Sequence, residues 1–291
     1  MANDPMNIQW YPGHMAKAKR MMANNLKLVD IVCEIIDARI PISSRNPDLD
    51  DVAGNKPRLL IVNRVDLADP EVTALWAAHF RTGGLTFHAT DSKSGKGISG
   101  VSDVVRRVLS EKLKHYAAKG QATRPLRAMV VGIPNVGKST FINKLAKRKA
   151  ALAADKPGVT KGKQWITVDG SLELLDTPGV LWPRFERPET GENLAFTGAV
   201  KDTVTDMEGL AFRLMEKLNA LYPHLLTERY KLDLTEPKKG HELLEAAAVK
   251  RGFLLTGGHP DLERMSAILL DEFRGGKIGR ISLERPGEEN A

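Results

Sequence analysis

Eight consecutive residues, Gly132-Ile133-Pro134-Asn135-Val136-Gly137-Lys138-Ser139, set two glycines, a lysine and a hydroxyl at the spacing of a phosphate-binding loop. The apolar run from Leu126 to Val131 reads as a buried strand leading into it, and the residues from Thr140 read as a helix with Phe141 and Leu145 on one face. Strand, loop and helix in that order imply an α/β fold. In such a loop the glycines let successive backbone N–H groups turn inward around phosphate oxygens, and the helix N-terminus adds its dipole. The residues Pro134, Asn135, Val136, Gly137, Lys138, Ser139 and Thr140 are therefore expected to bind the phosphates. Lys138 neutralises the outer ones and Ser139 offers an oxygen to Mg²⁺.

Three further motifs give the loop an identity. Asp176-Thr177-Pro178-Gly179 has the form Asp-x-x-Gly, in which Asp176 holds Mg²⁺ through a water and the Gly179 N–H meets the terminal phosphate. Asn63-Arg64-Val65-Asp66 matches the guanine reader Asn-Lys-x-Asp with one change. The Asp66 carboxylate accepts from the ring N–H and exocyclic amine of guanine, a pair that adenine does not present. Arg64 stands in for a lysine whose alkyl stem covers the base, and an arginine stem can do the same. Thr160 is the candidate switch threonine closing on Mg²⁺, and Ser92-Lys93 the candidate final base-contacting motif.

The order of these motifs is abnormal. An ordinary GTPase runs phosphate loop, switch threonine, Asp-x-x-Gly, guanine reader, final motif; here the guanine reader comes first and Asp-x-x-Gly last. Circular permutation explains this, because cutting and rejoining the cycle preserves the sheet and the site while moving the chain ends. Alternating strands and helices up to residue 176 predict a parallel sheet covered on both faces, within a permuted phosphate-loop GTPase domain of residues 1–184. The rest, 185–291, reads as a small helical domain with helices near 191–199, 203–219, 240–250 and 260–273. Its expected role is to hold the switch that ends the first domain and to receive its nucleotide state.

Composition bounds the partners. The 42% apolar and 27% charged fractions of the 291 residues are those of an ordinary folded protein. The amino terminus lacks signal-peptide features and no run of about 18 apolar residues occurs, so a cytoplasmic protein is expected. Cys33, the single cysteine, sits in an apolar run and reads as a buried small hydrophobe. The net charge of +7 is uneven: residues 200–291 carry 14 Lys/Arg and 16 Asp/Glu, whereas residues 105–167 carry 15 Lys/Arg and two acids, Glu111 and Asp155. That surplus brackets the phosphate loop in the chain and, with Lys17, Lys19 and Arg20, is expected to form a basic surface around it for a polyanion.

Taken together, the sequence resembles the YlqF/RbgA group of circularly permuted GTPases that assist assembly of the bacterial large ribosomal subunit. The resemblance runs through Ile8-Gln9-Trp10-Tyr11-Pro12-Gly13-His14-Met15-Ala16-Lys17-Ala18, Asp37-Ala38-Arg39 with Ser43-Ser44-Arg45-Asn46-Pro47, the phosphate loop, Asp155-Lys156-Pro157-Gly158-Val159-Thr160, and Leu174 to Pro183. It implies GTP hydrolysis stimulated by the ribosomal subunit and contact with ribosomal RNA through both domains. An Asn at position 135 in similar loops helps bind K⁺, which supplies positive charge between the phosphates. Val180 stands where many GTPases carry a water-orienting Gln, leaving a second reading open: a non-catalytic guanine-nucleotide-binding scaffold for RNA or protein partners. Rejoining the permuted chain brings the amino-terminal helix to the position after Asp-x-x-Gly, so His14, to which the resemblance also points, is the candidate that orients the attacking water. The lack of helix-turn-helix, zinc, lipidation or amphipathic-anchor patterns argues against DNA and membrane. Structured RNA and a monomeric state are expected, with the second domain adding basic residues such as Arg264, Arg274, Lys277 and Arg280.

Overall fold

The computed structural model describes residues 20–121, 123–147, 165–177, 187–200 and 206–287. Lys17, Lys19, His14, Thr160, Gly179 and Val180 lie outside the described residues. The chain divides into two compact units. Among the described residues, one takes in 20–66, 70–177 and 284–287, and the other 67–69, 187–200 and 206–283.

Among the described residues the first unit is built on six strands: β1 Ile31–Asp37, β2 Arg58–Asn63, β3 Thr86–Ala89, β4 Leu126–Gly132, β5 Trp165–Thr167 and β6 Leu172–Asp176. They lie in the order β3-β2-β1-β4-β6-β5. β1 to β4 and β6 are parallel, as the alternation of strands and helices implies, and the edge strand β5 pairs antiparallel with β6. The short connection across Val168 to Ser171 forces this, since only antiparallel neighbours can be joined so briefly. β1 is buried along its whole length, so both faces of the sheet are covered. Helical residues 20–26 (α1) and α2 Asp48–Ala53 cover one face, packing Met22, Leu26, Leu49 and Ala53 onto Val32, Met129, Val131 and Leu175. Cys33 is buried in β1, and burial pushes its thiol pKa up to about 12.

Among the described residues four more α-helices belong to this unit: α3 Pro70–Thr82, α4 Val101–Val108, α5 Ser110–Ala118 and α6 Lys138–Lys147. The pattern from Ser99 to Tyr116 predicts one long helix, but Leu109, at φ −99° and ψ 17°, breaks it into α4 and α5. Strand order sets the site. The chain winds outward from β1 through β2 to β3, then returns to β4 on the other side of β1, and the crevice beyond the carboxyl ends of β1 and β4 is the switch point where such sheets bind ligands.

The second unit holds α7 Pro188–Phe196, α8 Met207–Leu221, α9 Pro223–Tyr230, α10 Gly240–Lys250 and α11 Leu262–Arg274. Asp206 and Asp261 cap α8 and α11 by accepting from the N–H groups of Gly209 and Arg264, each at 3.0 Å. Leu210, Leu214, Leu218, Leu243, Leu269 and Phe273 are among its buried core residues. One buried acid ties three helices together: Glu272 accepts from Arg229 Nε at 2.9 Å, Tyr230 OH at 2.9 Å and Arg251 Nη2 at 2.9 Å. The unit also claims Leu67–Asp69. Ile281 N donates to the Leu67 carbonyl at 2.9 Å, Arg280 Nε to that of Ala68 at 2.9 Å, and Tyr222 OH to Asp69 Oδ2 at 3.1 Å.

Candidate nucleotide-binding site

The described candidates for nucleotide binding gather at the carboxyl ends of the parallel strands, on the last strand residues, the loops that follow and the start of α6. The phosphate loop runs from the end of β4 to the start of α6, Asn63 ends β2, Ser92 follows β3, and Asp176 ends β6. The loop depends on glycine at two places. A Cβ on Gly132 would stand 2.8 Å from the Ile35 carbonyl oxygen, and Gly137, at φ +96°, leaves no room for one beside the Asn63 amide.

Asn63 is the hub that joins three loops. Its Nδ2 donates to the Val136 carbonyl at 2.9 Å, while its Oδ1 accepts from Ser92 Oγ at 2.7 Å, Ser92 N at 3.0 Å and Thr90 Oγ1 at 3.3 Å. The side chain is buried, so its polar atoms fasten the guanine reader to the phosphate loop and to the final motif. Beside it, Arg64 Nη2 donates to the Asn135 carbonyl. Both residues hold left-handed backbone, at φ 62° and 58°, a conformation costly for residues with a Cβ and concentrated at functional sites.

Behind Arg64 lies a pair that motif spacing does not reveal. Arg39 is wholly buried and grips Asp37 twice, Nε to Oδ1 at 3.0 Å and Nη2 to Oδ2 at 2.8 Å, with its own N–H on Oδ1 at 3.0 Å. Arg64 Nη1 stands 3.8 Å from the same carboxylate. Burial works against the Asp37 charge, but Arg39 and then Arg64 hold its pKa below the usual range. The signal in the sequence is an acid that ends a mostly apolar strand, Asp37, with a base two residues beyond it, Arg39. The following loop is pinned by Ser44, whose Oγ accepts from Asp37 N at 2.9 Å, and by Glu284, which accepts from the N–H groups of Ile42 at 2.7 Å and Ser43 at 3.0 Å.

At the base-reading end, Asp66 is open to solvent as a residue, yet partial desolvation of its carboxyl, and next the Asp91 charge, raise its pKa. Asp91 Oδ1 accepts from Lys93 N at 2.8 Å and Ser94 N at 3.2 Å, shaping the final turn, while Lys93 is exposed. At the phosphate end, Lys138 Nζ donates to Asp176 Oδ1 at 2.6 Å. Thr177 Oγ1 donates to the Val130 carbonyl at 2.7 Å, which locks the start of Asp-x-x-Gly onto β4. Ser139 and Thr140 are exposed at the start of α6. Among the described residues no cluster of three His, Cys, Asp or Glu could cage a metal. A single carboxylate and a hydroxyl are what Mg²⁺ takes when phosphates and water supply its other ligands.

The basic residues are arranged differently from expectation. Arg106, Arg107, Lys112, Lys114, Lys119 and Arg124 lie on α4, α5 and the approach to β4, and Arg127 near the start of β4, with Arg106 on Ser171 and Arg127 on Glu173, so among the described residues part of the 105–167 surplus lies toward the edge of the sheet opposite the phosphate loop. In the second unit, Arg274 donates to the Phe196 and Ala195 carbonyls at 3.1 and 2.9 Å, which caps α7, and Arg280 is engaged with Ala68. Among the described residues no helix is long and apolar enough to cross a membrane.

Known proteins resemble this arrangement throughout. Residues 127–229 match a family described as 50S ribosome-binding GTPase. The chain is 47% identical over 284 residues to Ribosome biogenesis GTPase A of Priestia megaterium, covering 97% of this chain and 98% of that protein. It is 32% identical to the protein of that name in Thermotoga maritima, over 96% and 95% of the two chains. Among solved structures, the GDP-bound YlqF of the same type superposes with a TM-score of 0.67 at 27% identity, over 92% of this chain and all of the other. A GNP-bound YlqF from T. maritima gives 0.67 at 29% identity, over 93% and 99%.

Proposed function

Because the chain belongs to the ribosome biogenesis GTPase A family, and so is a circularly permuted GTPase that hydrolyses GTP in ribosome assembly, we propose that it is a nucleotide-driven switch binding the large ribosomal subunit or its precursor. One observation carries the nucleotide half of this reading. The guanine reader is fastened to the phosphate loop through Asn63 on Val136 and Arg64 on Asn135, so base and phosphates are read by one connected frame.

In this reading Asn63, Arg64 and Asp66 select guanine, with Ser92 and Lys93 closing the base pocket. Residues 134–140 and Gly179 hold the phosphates. GTPases of this type work with Mg²⁺, and the exposed Ser139 hydroxyl and one-third-exposed Asp176 carboxylate are hard oxygen donors that suit it. We assign Ser139 and Thr160 as direct ligands, Asp176 as a ligand through water, and Asn135 as a ligand to K⁺. Bound there, the cations neutralise charge on the phosphate oxygens. His14 orients the attacking water in place of the Gln that Val180 does not supply. The proposed division of labour is nucleotide chemistry in 1–184 and ribosomal RNA contact aided by 185–291, in a monomer of the cytoplasm.

The test is phosphate release by the full-length protein with and without purified large subunits, in K⁺ and in Na⁺. Subunits should accelerate turnover, more so in K⁺, and His14→Ala should bind GTP nearly as the parent does while losing most of the stimulated rate. Turnover indifferent to subunits would contradict the switch, equal rates in both salts would remove K⁺, and full activity of His14→Ala would move its role to another group.

A further inference from the structure

The amino-terminal edge of the sheet, opposite the nucleotide loops, gathers cations around one buried acid. Asp30, just before β1, accepts from Tyr116 OH at 2.8 Å and Arg127 N at 2.9 Å, and pairs with Lys112 Nζ at 2.6 Å. Arg124 stacks over the Tyr116 ring at 4.9 Å and Lys112 approaches it at 5.6 Å. Lys56, just before β2, donates to the Val29 carbonyl at 2.8 Å. Burial, and then the Lys112 charge, hold Lys56 below the ordinary lysine pKa. Lys119 ends α5 three residues beyond Tyr116 and is exposed, as is Arg124.

The local charge is unbalanced. Lys112 is answered by Asp30, and Arg127 by Glu173 at 2.9 Å. Among the described residues, Lys56, Lys119 and Arg124 have no carboxylate at ion-pair distance. We propose that this edge, through Lys56, Lys119 and Arg124, is a second contact surface for the phosphate backbone of structured RNA, engaged alike in the GTP and GDP states. The proposal deepens the ribosomal reading and rests on it for the choice of RNA.

Two physical arguments support it. First, β4 is seven residues long, which sets its two ends roughly 20 Å apart at about 3.3 Å per residue, so rearrangement around the terminal phosphate leaves this edge in place. Second, among the described residues the large exposed apolar side chains of this unit are Leu28 and Leu75, too few for the apolar anchors of a protein interface, whereas a phosphate backbone asks for cations alone. Arg124 is held over the Tyr116 ring, which restricts the guanidinium that would meet a phosphate.

The test uses the full chain carrying Lys56→Gln, Lys119→Gln and Arg124→Gln together. Lys112 stays, because removing it would leave Asp30 buried with a partner fewer. Binding to purified large subunits and to bare ribosomal RNA is measured across salt concentrations, with GDP and with a non-hydrolysable GTP analogue. The slope of log affinity against log salt should shrink by roughly 2, the share of three phosphate contacts, by the same amount in both nucleotide states and on bare RNA, with GDP affinity unchanged. Should the triple variant fold poorly, Lys119→Gln alone should reduce the slope by about 0.7–0.9. An unchanged slope, or a loss confined to the GTP analogue, would overturn the proposal. A loss on subunits but not on bare RNA would assign the edge to an acidic protein instead. If the parent bound bare RNA but no subunits, the ribosomal reading would fail while the RNA arm still judged this edge.

Discussion

Lys138 and Asp176, 38 positions apart in the chain, meet at 2.6 Å at the carboxyl edge of the sheet, one from the phosphate loop after β4 and the other from the end of neighbouring β6. The pair joins the group proposed to answer phosphate charge to the group proposed to hold Mg²⁺, so a change at either is felt by both. Lys138→Ala should weaken GTP and GDP by about 10- to 100-fold, the scale of one or two charge-assisted hydrogen bonds, with the fold intact because Asp176 is partly hydrated. Nucleotide titration checks this, and near-parental affinity would remove Lys138 from the phosphate site.

Guanine selection should rest on Asp66. Asp66→Asn replaces an accepting oxygen with a donating amide, so guanine affinity should fall by about 10²- to 10⁴-fold and xanthine nucleotides should be preferred. In the proposed role the ionised carboxylate is the binding form. Since desolvation and then Asp91 raise its pKa, GDP affinity should begin to fail on acidification above the pH expected of an ordinary aspartate. Asp91→Asn keeps the turn-shaping oxygen but removes the charge, and should move that failure to lower pH. An acid limb that does not move would dissociate the two residues.

Arg64 should matter through the loop it holds as well as the base it covers. Arg64→Met keeps an apolar stem but loses the bond to Asn135 and the approach to Asp37, and GDP should bind about 5- to 30-fold more weakly, equivalent to roughly 1–2 kcal/mol. Arg64→Lys should recover part of this. Equal affinity of Arg64→Met and the parent would show that the stem alone suffices.

In the helical unit, Glu272 should govern acid stability. Burial opposes its charge, but hydrogen bonds from Arg229 and Tyr230 and the Arg251 charge lower its pKa from 4.5 to about 2. A depressed folded-state pKa stabilises fully above the unfolded value, and that stability is lost as pH falls from about 4.5 through about 2. The contribution is on the order of 3 kcal/mol. Glu272→Gln should therefore melt earlier at pH 7, and its deficit relative to the parent should close across that window. A deficit constant with pH would assign the effect to packing.

The fold and much of the candidate site are legible in the sequence because each motif is contiguous and ends a strand. The permutation follows from motif order alone. What escaped is non-local, or carries a sequence signal that is absent or short. Leu109 interrupts the helical pattern with neither proline nor glycine to announce it. Helix α9 is only eight residues long, although Pro223 at its start was a usable signal. The antiparallel β5 was implied by a connection too short for a parallel crossover. The Arg39–Asp37 pair and the structural use of Asn63 depend on which loops the sheet order brings together. Sequence proximity also misplaced part of the basic surplus: α5 carries its cations away from the phosphate loop before β4 returns to it.

Co-sedimentation with purified large ribosomal subunits, at several salt concentrations, tests the central claim most directly. A nucleotide-driven switch should bind subunits more tightly with a non-hydrolysable GTP analogue than with GDP, and both should weaken steeply as salt rises. Binding indifferent to nucleotide and to salt would contradict it.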